Sequence, residues 1–475
     1  MRIGHWLRGA VLAAALLALA GQAGAQVSAE CGPRKPADAD GTPAAPGKDS
    51  FWTRERLTGD WGGARTRLED AGIFLGLSEQ SEIWGNLRGG IRRGAVYAGL
   101  TSMGLTFNPD RAADPGKAFP WSGFCFYVSA YQIHGRGPTP NLVGALQAVS
   151  SIEATRATRL FDLWAEQRLF DDAFSIRLGQ GGANTEFMLS DQAALFVNSS
   201  FGFPVMTALA LPSGGPNYPL ATPFLRLKWQ PTEAFTLLGA VFNGDPAGRG
   251  FNDPQRRNAS GTLFRLRDHA FFIAEAQLAL AIPTARGDAA GSYKLGVWVH
   301  NGYFADQALD AAGRSLADPR SSGVPRQLRG NYAVYGVMDQ MLLPVRGSKD
   351  QGLAAFASIA GGPGDRNLLH LSFIAGLTYK GLLHPEGADK AGFGVAYAGI
   401  GAAARQGSRA TVFFGGTGQP FRPGEAALEW TYQYPLTPWW QVQPSLQYVI
   451  SPGATPGARQ LPNAATLGLR TSLLF

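Results

Sequence analysis

The chain has 475 residues and a formal net charge of +7, and only 16% of its residues are charged. An average soluble domain is roughly 25% charged. Although the chain contains 62 Gly and 31 Pro, 45% of its residues are hydrophobic, which excludes wholesale disorder. The length predicts either about two or three soluble domains or one large barrel.

Residues 1–25 have the pattern of a secretory signal peptide. Arg8 precedes an unbroken apolar run from Ala10 to Ala20, and Ala23-Gly24-Ala25 supplies small residues for cleavage. The run is too short to cross a bilayer, which takes about 20 apolar residues. We therefore expect an exported protein without a transmembrane helix.

The segment 26–50 is rich in Pro, Ala, Asp and Gly, and this composition predicts a flexible leader. Cys31 lies in that leader, and the sequence leaves open whether it pairs with Cys125 or both cysteines stay free. A short helix is predicted from Ala64 to Ala71, with Asp60 as its capping residue. The rest of the chain, 51–475, is expected to form one folded unit.

Beyond Ile73 the helical period gives way to alternation between apolar and polar residues. From Trp439 to Ile450, for example, one face carries Trp440, Val442, Leu446, Tyr448 and Ile450, and the other carries Gln441, Gln443, Ser445 and Gln447. Sixteen such segments begin near residues 73, 95, 124, 161, 174, 223, 235, 269, 291, 331, 353, 369, 391, 425, 439 and 464. The clearest runs are about ten residues long, which is the length that a tilted membrane strand requires.

The connections between these strands alternate in length. Long ones follow odd-numbered strands, at 134–160, 181–222, 244–268, 301–330 and 402–424, and short ones follow even-numbered strands, at 171–173, 231–234, 344–352 and 435–438. The segment 108–123 is an exception. Soluble sandwiches and propellers are disfavoured, because they tolerate fewer exposed aromatic residues, and a propeller would also show a repeat of about 40 residues, which is not present. The sequence predicts an all-β protein, a transmembrane antiparallel barrel of about 16 strands in the outer membrane, preceded by a short helical or flexible N-terminal segment.

The alternation also predicts which side chains face the lumen. A barrel of this size leaves an aqueous channel, whose selectivity depends on the side chains at its narrowest part. Sugars offer hydroxyl groups and apolar C–H faces, so a sugar-selective constriction needs charged hydrogen-bonding groups beside an aromatic surface. The candidate pore-lining residues are Asp162, Trp164, Glu166, Arg168, Arg177, Arg226, Lys228, Glu275, Lys294 and Trp298, and on the fourth strand they alternate with Phe161, Leu163 and Ala165. For each candidate the alternative is a charge or ring that only supports the wall.

The longest connection runs from Gly181 to Thr222 and is unusually apolar. It contains Phe187, Phe196, Phe201, Phe203 and Met206, which do not suit a solvated loop. We expect it to fold into the barrel and narrow the pore near Trp164, Arg177 and Arg226. The alternatives are a cap on the rim or packing against a neighbouring subunit.

Short motifs are spread along the chain from about residue 51 to Phe475. They include Gly59-Asp60-Trp61-Gly62-Gly63, Tyr293-Lys294-Leu295-Gly296-Val297-Trp298, Thr437-Pro438-Trp439-Trp440 and Gln443-Pro444-Ser445-Leu446-Gln447-Tyr448. With these motifs the chain resembles the carbohydrate-selective (OprB-type) porins. The resemblance implies a sixteen-stranded porin that admits sugars by passive diffusion, without specifying the sugar.

The expected partners are small sugars and outer-membrane lipids, with no nucleic acid and no cofactor. The histidines lack metal-ligand spacing, so no metal site is predicted. A homotrimer and a monomer are both compatible with the sequence. The alternative function is a general porin, or one that prefers anions or sugar acids, because several candidate lining residues are basic. A lipid-facing hydrolase is disfavoured, since His370 and Ser372 are predicted to face inward.

Overall fold

The strands predicted by alternation all form, and together they close into one antiparallel barrel in which β1 pairs with β16. The structure, a computed structural model, describes residues 31, 50–114, 121–348, 350–384, 386–415, 419–453 and 460–475. The predicted signal peptide and all of the predicted leader except Cys31 and Ser50 lie outside the described residues.

The predicted strand starts agree with the observed ones within one residue, except that β4 and β9 begin four residues and β10 six residues earlier than predicted. The strands are β1 (Ile73–Arg88), β2 (Gly94–Phe107), β3 (Phe124–Gly135), β4 (Ala157–Leu169), β5 (Phe174–Gly181), β6 (Thr222–Thr232), β7 (Phe235–Asn243), β8 (Ala270–Thr284), β9 (Gly287–Asp310), β10 (Pro325–Pro344), β11 (Gly352–Gly361), β12 (Leu369–Lys380), β13 (Lys390–Ile400), β14 (Gly424–Thr437), β15 (Trp440–Ile450) and β16 (Ala464–Leu474). The α-helices are α1 (Ala64–Asp70), α2 (Val205–Ala210), α3 (Pro254–Arg257) and α4 (Ala402–Phe413). In the part of the chain that the structure describes, no helix has the length and apolar character needed to cross a membrane.

The predicted N-terminal helix is confirmed as α1, and it packs where the barrel ends. The carboxylate of Asp60 accepts hydrogen bonds from the backbone N–H (2.8 Å) and the hydroxyl (2.9 Å) of Thr66, which satisfies donors of the first turn. Arg65 of the helix donates to the carbonyl of Phe475 at 3.2 Å. The helix therefore ties the N-terminal segment to the last residue of the chain at the short-turn end.

The two faces of the wall follow the predicted alternation in the last strands. Leu446 and Leu469 are 44% and 51% exposed on the outside, whereas Gln443, Ser445 and Gln447 are buried inside the barrel. A slip of one residue would exchange these faces. The register predicted for β15 and β16 is therefore confirmed.

On β4 the alternation fails at one position. Phe161, predicted to face away from Asp162, is buried as Asp162 is, and its ring packs 5.0 Å from that of Tyr131. The pairing of β3 with β4 shifts between Val128 and Ala130. Such a β-bulge inserts an extra residue and re-aims the side chains on one side of it, which the period of two cannot anticipate.

The core lies inside the barrel, where the lumen loop (residues 182–221, between β5 and β6) packs against the wall. The rings of Phe196 and Phe201 stack at 4.3 Å, and both contact Phe356 of β11. Gly394 of β13 makes this possible, because a Cβ there would lie 2.6 Å from an atom of the Phe201 ring. The prediction that this loop folds into the barrel is therefore confirmed. Folding inward is favourable because it removes the large apolar area of the aromatic residues from water.

A second loop and the leader cysteine also reach the interior. The mouth loop (residues 136–156, between β3 and β4) bonds to the lumen loop through Ser151 N–H to the Val197 carbonyl (2.8 Å) and Ser199 N–H to the Ala148 carbonyl (3.0 Å). Cys31 forms a disulfide with Cys125 of β3 and packs against the lumen core. The mouth loop and the lumen loop are thus joined by backbone hydrogen bonds inside the barrel.

Candidate functional site

Four charged side chains meet at one height on the inner wall. Glu166 of β4 lies opposite Arg177 of β5, and Arg177 lies opposite Arg226 of β6. Residues that are directly opposite on paired strands share a face, so all three side chains point into the lumen. Glu186 of the lumen loop completes the group from the other side.

The four groups form a closed ring of alternating charge. Arg177 bonds to Glu166 (Nη2–Oε2, 2.5 Å) and approaches Glu186 (Nη1–Oε1, 3.4 Å). Arg226 bonds to Glu186 (Nε–Oε2, 2.9 Å) and to Glu166 (Nη2–Oε1, 3.2 Å), and its Nη1 donates to the Ser175 hydroxyl at 2.6 Å. Each guanidinium therefore bridges two carboxylates, an arrangement that fixes both partners in position.

Two members of the ring face the water and two support them. The side chains of Arg177 and Glu186 are 13% and 21% exposed, whereas that of Arg226 is 1% exposed. Burial raises the pKa of Glu186, but the positive charges of Arg177 and Arg226 outweigh it and hold this pKa below its ordinary value. The surface offered to a solute is therefore one guanidinium beside one ionised carboxylate.

Trp164 of β4 supports the ring of charges instead of offering a free face. The guanidinium of Arg177 lies 3.8 Å from the centroid of the Trp164 ring, and Tyr127 packs beside it at 5.2 Å. Trp164 is buried. The aromatic face that we expected to meet a sugar ring is therefore occupied by Arg177, in a cation–π contact that orients the guanidinium.

Three other predicted residues lie on the same wall outside the ring. Asp162 accepts a hydrogen bond from the Ser129 hydroxyl at 2.8 Å. Lys228 lies on β6 opposite Ser175, one lumen-facing position from Arg226. Arg168 lies near the short-turn end, where it pairs with Asp110 at 2.6 Å. The structure thus brings Asp162 and Lys228 close to the ring of charges. Arg168 is one lumen-facing position from Glu166, but its guanidinium turns to Asp110 and does not join the ring.

The remaining three predicted residues hold the lumen loop. Glu275 accepts the backbone N–H of Met188 at 2.8 Å, and Lys294 donates to the Leu189 carbonyl at 2.6 Å. Trp298 is fully buried and donates to the Thr207 hydroxyl at 3.1 Å. These three side chains form hydrogen bonds with the lumen loop, whereas Arg177 and Glu186 face the water.

Sequence reasoning missed further residues that hold the loops. Glu429 accepts the N–H groups of Val197 and Asn198, both at 2.9 Å, and Asp339 accepts the Ser190 hydroxyl at 2.5 Å. Glu429 alternates with the apolar Leu428 and Trp430, and this period of two is the signal that was available for it. Glu186 carried no such signal, because the lumen loop has no regular period.

The histidines on the inner wall have structural partners. His370 Nδ1 lies 3.1 Å from the Gly399 carbonyl, and His300 Nε2 lies 3.3 Å from the Gly244 carbonyl. Over the described ranges, the side chains of His, Cys, Asp and Glu form no group of three or more that could hold a metal ion. The lumen of the described structure therefore presents hydrogen-bonding and ionic groups as its chemistry.

A family model for the carbohydrate-selective porin, OprB family, matches residues 107–475. The chain belongs to this family. The porin is 23% identical to Porin B of Pseudomonas aeruginosa over 445 residues, covering 88% of this chain and 91% of that protein. It is 22% identical to the putative porin QuiX of Acinetobacter baylyi over 455 residues, covering 90% and 95% of the two chains.

A solved structure shows the same fold. The high-pH structure of OprB from Pseudomonas putida is similar with a TM-score of 0.78 and 24% identity, covering 90% of this porin and all of that chain. Together with the family match, this makes the protein a carbohydrate-selective porin of the outer membrane, a channel and not an enzyme. Its transported solutes are sugars.

Proposed function

We propose that this porin passes small neutral sugars by passive diffusion between Arg177 of the wall and Glu186 of the lumen loop. The observation that carries the proposal is this water-facing pair, held from behind by Arg226 and Glu166. A sugar hydroxyl both donates and accepts hydrogen bonds. It therefore bonds to the guanidinium and the carboxylate in turn, whereas a simple ion bonds to only one of them.

The charge balance of the site favours neutral solutes. The ring contains two arginines and two glutamates, so it sums to zero, and neither cations nor anions gain from it as a whole. The four side chains of the ring already bond to one another, so a sugar hydroxyl has to replace an existing hydrogen bond and does not gain an unused one. Binding is then weak, which a channel needs because a tightly bound solute leaves slowly.

A second candidate function is a preference for anions or sugar acids. Lys228 supports it, because it lies next to Arg226 on the inner wall and has no ion-pair partner among the described residues. The carboxylates of Glu166 and Glu186 attract this ammonium group and offset its charge. A reversal potential measured in a salt gradient separates the two candidates, since a neutral-sugar porin gives a value near zero.

Liposome swelling across neutral monosaccharides, disaccharides and sugar acids tests the proposal. We expect Arg177→Gln and Glu186→Gln to lower the ratio of sugar flux to ion flux, because each removes one half of the water-facing pair. Arg168→Gln is the matched control, an arginine of the same wall whose guanidinium pairs with Asp110 and not with the ring. Equal effects of all three substitutions would place the selective contact elsewhere.

A further inference from the structure

The outer face of β1, β2 and β3 carries polar side chains where lipid is expected. The outer polar cluster consists of Glu79, Ser81, Tyr97, Thr101, Gln132 and His134. Glu79 lies opposite Thr101, and Thr101 lies opposite Gln132. The neighbours Gln80 and Glu82 are buried inside the barrel, so Glu79 and Ser81 alternate outward.

The cluster is connected by hydrogen bonds. Glu79 accepts from the hydroxyls of Thr101 (2.6 Å) and Ser81 (3.0 Å), and its Oε1 lies 3.4 Å from Nε2 of His134. The Tyr97 hydroxyl lies 3.0 Å from both the Ser81 hydroxyl and His134 Nε2. These contacts tie three strands together on the outside of the wall.

The surroundings of the cluster are apolar. Leu77, Ile83 and Met103 are exposed on the same outer face. The His134 ring lies on Gly99, where a Cβ would fall 2.0 Å from Nε2, so the glycine makes room for it. Hydrocarbon offers a carboxylate or an imidazole no partner, and ionisable groups facing lipid are rare for that reason.

A row of exposed arginines stands at the long-loop end of this sector. The basic rim consists of Arg88, Arg93, Arg136 and Arg156, and none of them forms an ion pair with a residue that the structure describes. Arg136 follows β3 directly, and its N–H bonds to the Tyr97 carbonyl at 2.6 Å, which places the rim next to the cluster. The carboxylate in the adjoining mouth loop, Glu153, is occupied by Thr139 and Ser150.

We propose that the β1–β4 sector of the outer wall binds lipopolysaccharide, the phosphorylated glycolipid of the outer leaflet. The basic rim binds its phosphates, because guanidinium groups match phosphate oxygens in charge and geometry. The outer polar cluster bonds to the hydroxyl and amide groups where its sugars join the acyl chains. Those chains lie on the apolar surface around Leu77 and Met103.

A second copy of this chain is the other occupant to consider, and the charges disfavour it. A symmetric contact through this face would bring two basic rims together, since the same patch lies on both sides of a two-fold interface. Like charges in an interface weaken association. The rim instead complements an anionic lipid.

The first experiment is a titration of the full porin in detergent with diphosphorylated lipid A, followed by native mass spectrometry. We expect the triple variant Arg88→Gln/Arg136→Gln/Arg156→Gln to bind it on the order of 100-fold more weakly than the wild type. The matched control is Arg249→Gln/Arg267→Gln/Arg409→Gln, which removes three exposed arginines of other loops at the same end. Equal loss in both variants, or equal binding of lipid A stripped of its phosphates, would overturn the proposal.

A second experiment tests the outer polar cluster separately from the rim. We expect Tyr97→Phe and His134→Ala to weaken binding of lipid A severalfold while leaving phosphatidylglycerol binding unchanged, because phosphatidylglycerol lacks the amide and the sugar hydroxyls. Sedimentation of the same proteins tests whether a second copy of the chain covers this face instead of lipid. A wild-type dimer that His134→Ala dissociates would show that a second barrel covers this face and would overturn the lipid assignment.

Discussion

Two sectors of the inner wall carry acidic residues on the same face and use them differently. In β4–β6 the carboxylate of Glu166 meets the guanidinium groups of Arg177 and Arg226. In β8–β15 the carboxylates of Glu275 and Glu429 meet backbone N–H groups of the lumen loop. The first sector presents charge to the water, and the second holds the loop that narrows the channel. The partner, and not the residue type, decides the role of a wall carboxylate.

The two sectors depend on each other. Glu186 of the first sector belongs to the loop that Glu275 and Glu429 fix to the second, at Met188 and at Val197. Carboxylate anchors are strong, since a hydrogen bond to an ionised group contributes about 1.5–3 kcal/mol, roughly twice a neutral one. A substitution that removes an anchor in the second sector should therefore alter the constriction in the first sector, although it lies away from it.

Removing the middle of the lumen loop should have the largest effect. We expect a variant in which 193–210 is replaced by a short glycine linker to show a several-fold higher single-channel conductance and to lose its preference for sugars over ions. The loop packs against the inner wall, where its rings of Phe196 and Phe201 contact Phe356. Unchanged conductance would place the constriction elsewhere and would show that the two sectors do not depend on each other.

Removing one anchor should have the next largest effect. Glu429→Ala leaves the N–H groups of Val197 and Asn198 buried without acceptors, which should cost roughly 2–4 kcal/mol of unfolding free energy. Chemical denaturation in detergent measures the cost. Glu429→Gln keeps one acceptor oxygen and should restore part of the stability, and failure to do so would contradict the anchoring role.

In the first sector, Arg177→Lys should weaken sugar-induced block of the current by about tenfold, or about 1.4 kcal/mol. Lysine keeps the charge but cannot bridge Glu166 and Glu186 with a planar fork. The midpoint of unfolding should hardly move, because Arg226 still bonds to both glutamates. A block of wild-type strength would mean that charge alone, and not geometry, selects the sugar.

Acidification should have the smallest effect on the constriction. The pKa of Glu186 is lowered, so its stabilising interactions are present above the ordinary pKa of a glutamate and are lost only as the pH falls through the lowered value. Sugar flux should therefore stay constant between about pH 7 and about pH 5. A fall in flux over this range would contradict the ionised state of Glu186.

Glu153 in the mouth loop should behave in the opposite way. Burial raises its pKa to about 7, despite the opposing hydrogen bonds from Thr139 and Ser150. Above this pKa, the ionised Glu153 is a buried charge that destabilises the closed mouth loop. As the pH falls below about 7, the carboxylate is neutralised, so the mouth loop should open less readily. Hydrogen exchange of the Thr139 amide would show this as increased protection, once intrinsic rates are corrected.

The sequence predicted the strands and the burial of the lumen loop because both depend on local signals. The alternation in β15 and β16 separates Leu446 from Gln443 by face, and the aromatic residues of the lumen loop are too apolar for water. The alternation failed at Phe161, where a bulge between β3 and β4 shifts the pairing. A bulge depends on both strands, so one strand's pattern does not reveal it.

The sequence by itself determined which strands form and, apart from the bulge at Phe161, which of their residues face inward, since period and composition act over a few neighbouring residues. Tertiary structure alone decided which inward residues meet. Glu186 joins Arg226, and Glu275 binds Met188 N–H, because a loop folds back across the lumen. Such contacts join residues far apart in the chain, and their geometry depends on the closure of the whole barrel and not on any single segment.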